Sequence, residues 1–561
     1  MKIKYKYISI IAVILLLGSS GCQKNFLDTK IDTYATPAAI ITDRGTLYSF
    51  ADEFYTSLPY GYNTLDGNLF AAASDEAQQT MSGGSALYFN QGVLSPTVTP
   101  DLKYKSLYEG IRAANFYLAY SQGWKAFLGL NRDTVSDVTN YNKDVLFIPW
   151  FRAEAHIARA YYYFELSKRY GGVPLITKTL DQSTTSTIAK SSYDSITNFI
   201  VSEIDMYKDS LQVNWKTSAY ADQDGRFSKG VALALKSRVL LYAASTLHNP
   251  LNDITKWQLA AAAARDVITT AGLNYSLHTG GYGNYFIGSN SLGSNETIFA
   301  MRQPANNGPE AANYPIATPG GNSGVAPSHN LVADYEYIAT PDPVNPYANR
   351  DPRLSASIVT NGSTWNGRTI TESIGGSDDM TKANTSKTGY YLKKFLTDNL
   401  NLVNGGTAQH NWVLFRYAEI LLNYAEAMNE AYGPDAAPTG FTLTARQALK
   451  MVRDRASTSL PLITATVASD FYTAVKHERR IELAFEDHRY WDLLRWKDAE
   501  TILKQPINGV SVTKNPNGTF NYSVVNNVAS RSFNAPAMYY YPFPQSEIVN
   551  AHGVLIQNPG Y

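Results

Sequence analysis

The stretch KHERRIELAFEDHRYWDLLRW, from Lys476 to Trp496, spaces its apolar residues at helical intervals over about six turns. On a period of 3.6 residues, these side chains fall on two sides of one helix that begins near Phe471. One side carries Phe471, Val475, Ile481, Ala484, Phe485, Trp491 and Leu494, and the other carries Leu483, Tyr490 and Leu493. A helix that is apolar on two sides packs between neighbours, so we predict a helix buried inside the protein.

Acidic and basic residues in this stretch recur three positions apart, which places them on one helix surface. The predicted pairs are Arg479 with Glu482, Glu486 with Arg489, and Asp492 with Arg495. Two interpretations are open, a catalytic carboxylate cluster and a structural network of ion pairs. We favour the structural network, because matching arginines are interspersed among the acids and charges beside a buried face must be paired.

The same run resembles the carboxy-terminal signature helix of the SusD/RagB family, the surface glycan-binding lipoproteins of Bacteroidetes-type bacteria. The usual form of that helix is close to ERRIELAFEGHRWFDLRRW. Residues Glu478 to Glu486 match it, Asp487 replaces the common Gly, and Tyr490-Trp491 reverses the order of the aromatic residues. Arg159 to Leu175 is similar to a second hallmark of the family, RAxAYYxLxxxYGGVPL, and the end of the chain resembles its closing QNPGY pattern.

Length and composition limit the classes of function that are compatible with this chain. At 561 residues the chain is long enough for one large composite domain or two intertwined lobes. Lys plus Arg equals Asp plus Glu at 48 each, so the basic surface that nucleic-acid binding requires is not indicated. Forty tyrosines and eight tryptophans supply flat apolar faces with hydrogen-bonding tips, which suit recognition of polyhydroxylated ligands.

The amino terminus has the organisation of a lipoprotein signal. Lys2, Lys4 and Lys6 precede an apolar run that is too short to span a bilayer, and small residues lead to Cys22, the one cysteine of the chain. We predict a signal peptide at 1–21, lipidation of Cys22 and a lipidated tether at 22–40. The alternative is an ordinary secretory signal with an incidental cysteine. No later apolar run approaches the length of a membrane span, so we expect the lipid to hold the protein at a membrane surface, and the resemblance implies that this is the outer membrane.

The rest of the chain predicts a mainly α fold. Residues 41–273 form an amino-terminal helical part, and residues 411–500 form carboxy-terminal helices, with the degenerate spacing of tetratricopeptide-like hairpins. Predicted helices cover 44–55, 102–120, 150–170, 193–208, 229–245, 257–270, 412–431 and 445–455. Between them, residues 274–410 are rich in Gly, Asn, Ser, Pro and Tyr, with one short strand predicted at 297–301. The resemblance implies four helical hairpins and a ligand-facing subdomain at 274–410, with a loop-rich tail at 501–561 completing a SusD-like domain.

Motifs for catalysis are not found. His477-Glu478 begins like a zincin motif, but Ile481 occupies the place of the second histidine. No P-loop, Rossmann fingerprint or Gly-x-Ser-x-Gly elbow is present. Asp75-Glu76 could be half of a glycosidase pair, yet no partner acid is identifiable by spacing. We therefore predict a protein that is not an enzyme, with no catalytic residue, metal ligand or cofactor.

Sugar binding needs aromatic platforms beside amide or carboxylate side chains. We predict that the non-helical segments supply these ligand-binding residues, namely Asp75, Tyr88, Asn90, Tyr282, Tyr285, Asn313, Tyr314 and Trp365.

The resulting hypothesis is a lipid-anchored outer-membrane protein that captures an oligosaccharide or polysaccharide at the cell surface for glycan uptake. The resemblance implies that its partner is a SusC-like TonB-dependent transporter, which the protein covers as a lid. Two alternatives remain open at this point, a RagB-like lid that binds peptides and a secreted hydrolase.

Overall fold

Helices form the scaffold of the protein. The computed structural model describes residues 44–125, 135–180 and 188–561, and helix accounts for 43% against 11% for strand, which confirms the mainly α prediction. Within these ranges, no helix combines the length and apolar character needed to cross a membrane. The predicted signal peptide at 1–21, the lipidated Cys22 and the tether at 22–40 lie outside the described residues.

Up to residue 269, helices that follow one another in the sequence pack against each other. The next helix of the stack comes only after a long insertion. The bounds of the major helices are Arg44–Glu53, Tyr104–Tyr120, Val138–Tyr170, Tyr193–Tyr207, Lys229–Ala244, Ile254–Thr269, Tyr417–Tyr432, Ala445–Arg453, Ala468–Glu482 and Arg489–Trp496. The Ile254–Thr269 helix packs on Tyr417–Tyr432, which in turn contacts Ala445–Arg453 and Ala468–Glu482. Residues between about 270 and 410 therefore leave the helical stack and return to it.

Local sequence signals explain where several of these helices start and stop. Thr444 and Gln447 form a reciprocal capping box at the start of the Ala445–Arg453 helix. Ser192 accepts a hydrogen bond from the Ser195 amide at 3.1 Å and caps the helix that follows. Gly171, with φ +71°, ends the Val138–Tyr170 helix as predicted from the Gly-Gly pair.

Short antiparallel strand pairs lie in the inserted region and in the tail, and the first two of those named next join the inserted region to other parts of the chain. They are Ala77–Gln79 with Val325–Pro327, Thr297–Arg302 with Asn411–Arg416, Ile358–Val359 with Tyr391–Leu392, Thr364–Trp365 with Arg368–Thr369, and Ile507–Lys514 with Phe520–Ala529. Short helices lie between them at Ala86–Asn90, Tyr282–Tyr285, Asn290–Gly293, Gly308–Asn313, His329–Asp334, Arg353–Ser357, Ala499–Ile502 and Gln545–Asn550.

Several predicted boundaries are wrong, and tertiary pairing explains one of them. The predicted helix at 412–431 begins only at Tyr417, because residues 411–416 pair with the Thr297–Arg302 strand. That strand itself confirms the prediction at 297–301. The helix predicted from residue 150 begins at Val138 and contains Pro149. The tail predicted as loops contains the hairpin of Ile507–Lys514 and Phe520–Ala529, whose inner strand buries Val510 and Val512.

The signature stretch is two helices and not the one predicted. Ala468–Glu482 ends at a turn in which Phe485 and Asp487 have positive φ angles, and Arg489–Trp496 follows. Donors from distant segments hold the carbonyl groups that the turn leaves free. The Glu482 carbonyl accepts hydrogen bonds from Tyr282 at 3.0 Å and from Arg416 at 2.8 Å. The spacing of apolar residues within the stretch cannot predict contacts with residues from distant segments. One continuous helix was therefore predicted where the structure has two.

Candidate functional site

The carboxylates of the signature stretch lie in a buried ion-pair network. Glu482 has no exposed surface and accepts hydrogen bonds from Arg353 at 2.9 Å and from Arg416 at 2.7 Å, with Arg455 at 3.2 Å. Burial alone would raise the pKa of Glu482, but the three guanidinium charges outweigh it and lower the pKa to about 2. Glu486 is shared in the same way between Arg416 and Lys394, each at 2.7 Å.

Of the three pairs predicted within this stretch, only Asp492 with Arg495 forms, at 2.8 Å. Arg479 instead pairs with Asp492 at 3.1 Å, and the Glu482 and Glu486 carboxylates reach partners outside the stretch. The helix break separates Glu486 from Arg489. Because these acids are buried and engaged by cations, the network has the character of a structural clamp and presents no open cleft.

Seven of the eight residues predicted to bind ligand are buried. Asp75 is 4% exposed and pairs with Arg489 and Arg480. Asn90 donates to the Ala72 carbonyl at 3.0 Å. Tyr88 is the exception, at 37% exposed on the short Ala86–Asn90 helix.

The aromatic residues predicted in the middle segment pack into its interior. Tyr282 donates to the Glu482 carbonyl, and the Tyr285 hydroxyl lies 2.6 Å from the Thr297 hydroxyl. Tyr314 and Trp365 pack edge to face, with ring centroids 6.1 Å apart. These residues are buried because the irregular region folds around an aromatic core of its own. Their role in ligand contact stays a prediction.

The two segments predicted to form the site do lie side by side. Ala77–Gln79 pairs with Val325–Pro327, and the side-chain amides of Asn68 and Asn313 exchange two hydrogen bonds of 3.0 Å. Asn313 is thereby only 2% exposed and also accepts from the Val325 amide. The side-chain amide of Asn313 therefore links the segment around Asn68 to the segment around Val325.

An open cleft of about 570 Å³ lies where the first helix ends, beside the start of the Tyr104–Tyr120 helix. Its walls come from four separated parts of the chain, and its lining residues are Thr56, Ser57, Leu58, Pro59, Tyr60, Asn63, Lys103, Ser106, Leu107, Glu165, Arg169, Gln303 and Asn306. A volume of this size is typical of sites for small ligands.

The lining combines an aromatic ring with polar side chains. Tyr60 is half-buried beside Asn306, and burial raises the pKa of its hydroxyl. The side-chain amides of Asn63 and Gln303 make no hydrogen bond to protein within the described ranges, so both are available to a ligand. Gln303 and Asn306 lie inside the predicted ligand-facing subdomain at 274–410, but no local motif distinguishes them or residues 59–63 as ligand-binding, so the sequence did not reveal this site.

A smaller cavity of about 60 Å³ adjoins the cleft and shares Pro59, Lys103, Glu165 and Arg169 with it. Room of this size suits a few water molecules. Asp487 lines this cavity at φ +61°, and its Oδ1 has no hydrogen-bond partner in the part of the chain that the structure describes. Burial, with Asp101 nearby, raises its pKa well above the usual range. In the same described ranges, no group of three or more His, Cys, Asp or Glu side chains is arranged to hold a metal ion.

Comparison with known proteins covers nearly the whole chain. The model of the SusD family matches residues 284–561, and a model described as starch-binding and associating with the outer membrane matches residues 25–241. SusD-like protein P38 of Formosa agariphila is 26% identical over 414 residues, which cover 70% of this chain and 73% of that protein. SusD-like protein P2 of the same organism is 22% identical over the full length of both.

Solved structures share the fold. A SusD-like protein from Bacteroides fragilis superposes with a TM-score of 0.75 at 25% identity, covering 93% of this chain and 98% of that one. A SusD-like carbohydrate-binding protein from the same species gives 0.72 at 22% identity, covering 92% and 99%. A laminarin-binding SusD-like protein gives 0.62 at 23% identity, covering 93% and 100%. These likenesses confirm the fold predicted from the signature motifs.

Proposed function

The chain belongs to the SusD-like family, and from that premise we propose that it binds an oligosaccharide or polysaccharide at the cell surface and delivers it to a SusC-like TonB-dependent transporter. Cys22 carries the lipid that anchors it to the outer membrane. The description of the second family model, and the laminarin-binding relative, support a glycan as the ligand.

The observation that carries this proposal is the lining of the 570 Å³ cleft. A sugar ring has an apolar C–H face and a rim of hydroxyl groups. Tyr60 offers a ring on which the apolar face stacks, and Asn63 and Gln303 offer amides that both donate to and accept from hydroxyls. Thr56 and Ser57 add hydroxyl groups on the same wall.

The protein binds its ligand without cleaving it. Retaining and inverting glycosidases need two carboxyl groups that flank the scissile bond. Glu165 is the one carboxylate among the lining residues, and both of its oxygens are engaged, by Lys168 at 2.8 Å and by Arg169 at 2.5 Å. This arrangement supports a binding protein.

The test is direct binding of the purified protein, from Gln23 onward, to a panel of oligosaccharides and a panel of peptides by calorimetry. We expect an oligosaccharide to bind and to be recovered intact. Binding of peptides with no oligosaccharide retained would replace this proposal with the peptide-binding lid. Release of shortened sugars by the pure protein would overturn the assignment as a non-enzymatic protein.

A further inference from the structure

We propose that the cleft selects oligosaccharides that carry an anionic group, a carboxylate or a sulfate, and that Lys103 and Arg169 bind this group. The inference rests on the proposed glycan-binding function and specifies the class of its ligand.

Lys103 places an unpaired positive charge in the cleft. It lines both the cleft and the adjoining small cavity, and its ammonium group has no hydrogen bond or ion pair within the described ranges. Neighbouring lysines differ, because Lys168 contacts Glu165 at 2.8 Å and Lys105 lies 3.8 Å from Glu109. Lys103 is a half-buried residue, and an ammonium without a counter-ion can pair with a ligand anion.

Arg169 supplies a second donor in the lining of the cleft. It is 6% exposed and is held by hydrogen bonds from Nε to Asp101 at 2.8 Å and from Nη1 to Glu165 at 2.5 Å. Its Nη2 has no hydrogen-bond acceptor among the residues that the structure describes. A guanidinium that is fixed at two nitrogens and open at the third is pre-organised for a carboxylate or sulfate oxygen.

The charge balance around the cleft favours an anion. The lining of the cleft carries two cations, Lys103 and Arg169, and one carboxylate, Glu165, which Lys168 and Arg169 already engage. Burial would raise the pKa of Glu165, but Lys168 and Arg169 outweigh it and lower the pKa to about 2, so the glutamate is ionised and satisfied. Lys103 is the cation that is left over.

The position of Lys103 at a helix amino terminus further increases the positive potential in the cleft. It is the residue before the Tyr104–Tyr120 helix, which has no side-chain cap and no acidic residue in its first turn. A cation at the positive end of a helix is electrostatically unfavourable, and a bound anion would relieve it.

Matched pairs of probes test the proposal. An oligogalacturonate is compared with its methyl ester, and a sulfated oligosaccharide with its desulfated form, so that the two pairs distinguish carboxylate from sulfate. We expect the full-length mature protein to bind the charged member of one pair about tenfold more tightly at low salt, and to lose this preference as salt screens the contact.

Variants assign the preference to Lys103. Lys103→Gln should abolish the difference within the pair by weakening binding of the charged member, and Lys103→Arg should retain the difference. Lys105→Gln, on the exposed face of the same helix, is the matched control and should bind as the wild type does. Melting temperatures confirm that each variant is folded.

Equal affinity of the wild type for charged and neutral members would overturn this inference and leave the glycan-binding function standing. A preference that survives in Lys103→Gln would also overturn it. Failure to bind any oligosaccharide, together with binding of peptides, would overturn the proposed function as well.

Discussion

The guanidinium of Arg489 donates two hydrogen bonds to the carboxylate of Asp75, from Nε at 2.8 Å and from Nη2 at 3.0 Å. The Nη2 atom of Arg480 lies 2.9 Å from Oδ2 of the same carboxylate. The pair joins residues 414 positions apart in the chain, both of them buried. It fastens the signature stretch to the segment that precedes the first strand.

Asp75→Asn should lower the free energy of unfolding by about 3–5 kcal/mol, because it leaves the buried Arg489 without its counter-ion and leaves Arg480 with Asp334 alone. Chemical denaturation at pH 7 measures the change. Glu109→Gln, which removes an exposed ion pair with Lys105 at 3.8 Å, is the control and should change stability by less than about 1 kcal/mol. Equal effects of the two substitutions would contradict a structural role for Asp75.

Glu482→Gln should also destabilise the protein by about 3–5 kcal/mol without removing ligand binding from the molecules that remain folded. Arg353, Arg416 and Arg455 converge on this carboxylate, and none of them lines the cleft. Its pKa of about 2 lies below the value near 4.3 of an unfolded Glu, so its contribution is present above that value and is lost as the pH falls. Unchanged melting together with abolished binding would contradict this account.

Glu76→Gln should have the opposite pH signature. Burial raises the pKa of Glu76 to about 7, although its Oε1 accepts the Phe485 amide at 3.1 Å. The folded state therefore binds more protons than the unfolded state between about pH 4.3 and 7, and the wild type loses stability as the pH rises through this window. We expect the glutamine variant to flatten that loss, measured as the free energy of unfolding at pH 5 and pH 8. A steeper loss in the variant would be inconsistent with the raised pKa.

Asp487→Gly should raise the free energy of unfolding by about 1–2 kcal/mol at neutral pH. Asp487 has a positive φ that glycine adopts freely, and its buried Oδ1 lacks a partner within the described ranges. Asp66→Gly is the contrasting variant. Asp66 has φ +50°, but its carboxylate accepts hydrogen bonds from Ser85 and Gln79, so this change should destabilise. Destabilisation by Asp487→Gly would show that the aspartate has a favourable contact.

The sequence predicted the scaffold more accurately than the site, for a physical reason. Helical periods and the Gly-Gly stop after Tyr170 are local signals, and they located most helices to within a few residues. The break at Leu483 to His488 depends on Arg416, Lys394 and Tyr282, which come from distant parts of the chain. The spacing of residues within the stretch carries no information about contacts with such distant residues.

The candidate site escaped prediction because it is assembled from four segments. Tyr60 follows the first helix, Lys103 precedes the next, Arg169 ends a third, and Gln303 follows a strand. Each residue is unremarkable in its own segment. The sequence favours aromatic residues in irregular segments, such as Tyr285 and Trp365, but these segments bury them. The amino-acid composition predicted which side-chain types contact a ligand. Only the packed structure shows which of these side chains lie in the core and which line the cleft.

The central claim is that the cleft beside Tyr60 holds the ligand, and one comparison of affinities tests it most directly. Titration calorimetry with the best oligosaccharide from the panel is carried out on Tyr60→Ala, Gln303→Ala and Tyr88→Ala, each checked for an unchanged fold by its melting curve. We predict a loss of affinity of about tenfold or more for Tyr60→Ala and Gln303→Ala, because stacking and amide contacts are removed, and no change for the exposed Tyr88→Ala. Loss of binding in Tyr88→Ala with full affinity in both cleft variants would contradict the claim and move the site to the Ala86–Asn90 helix.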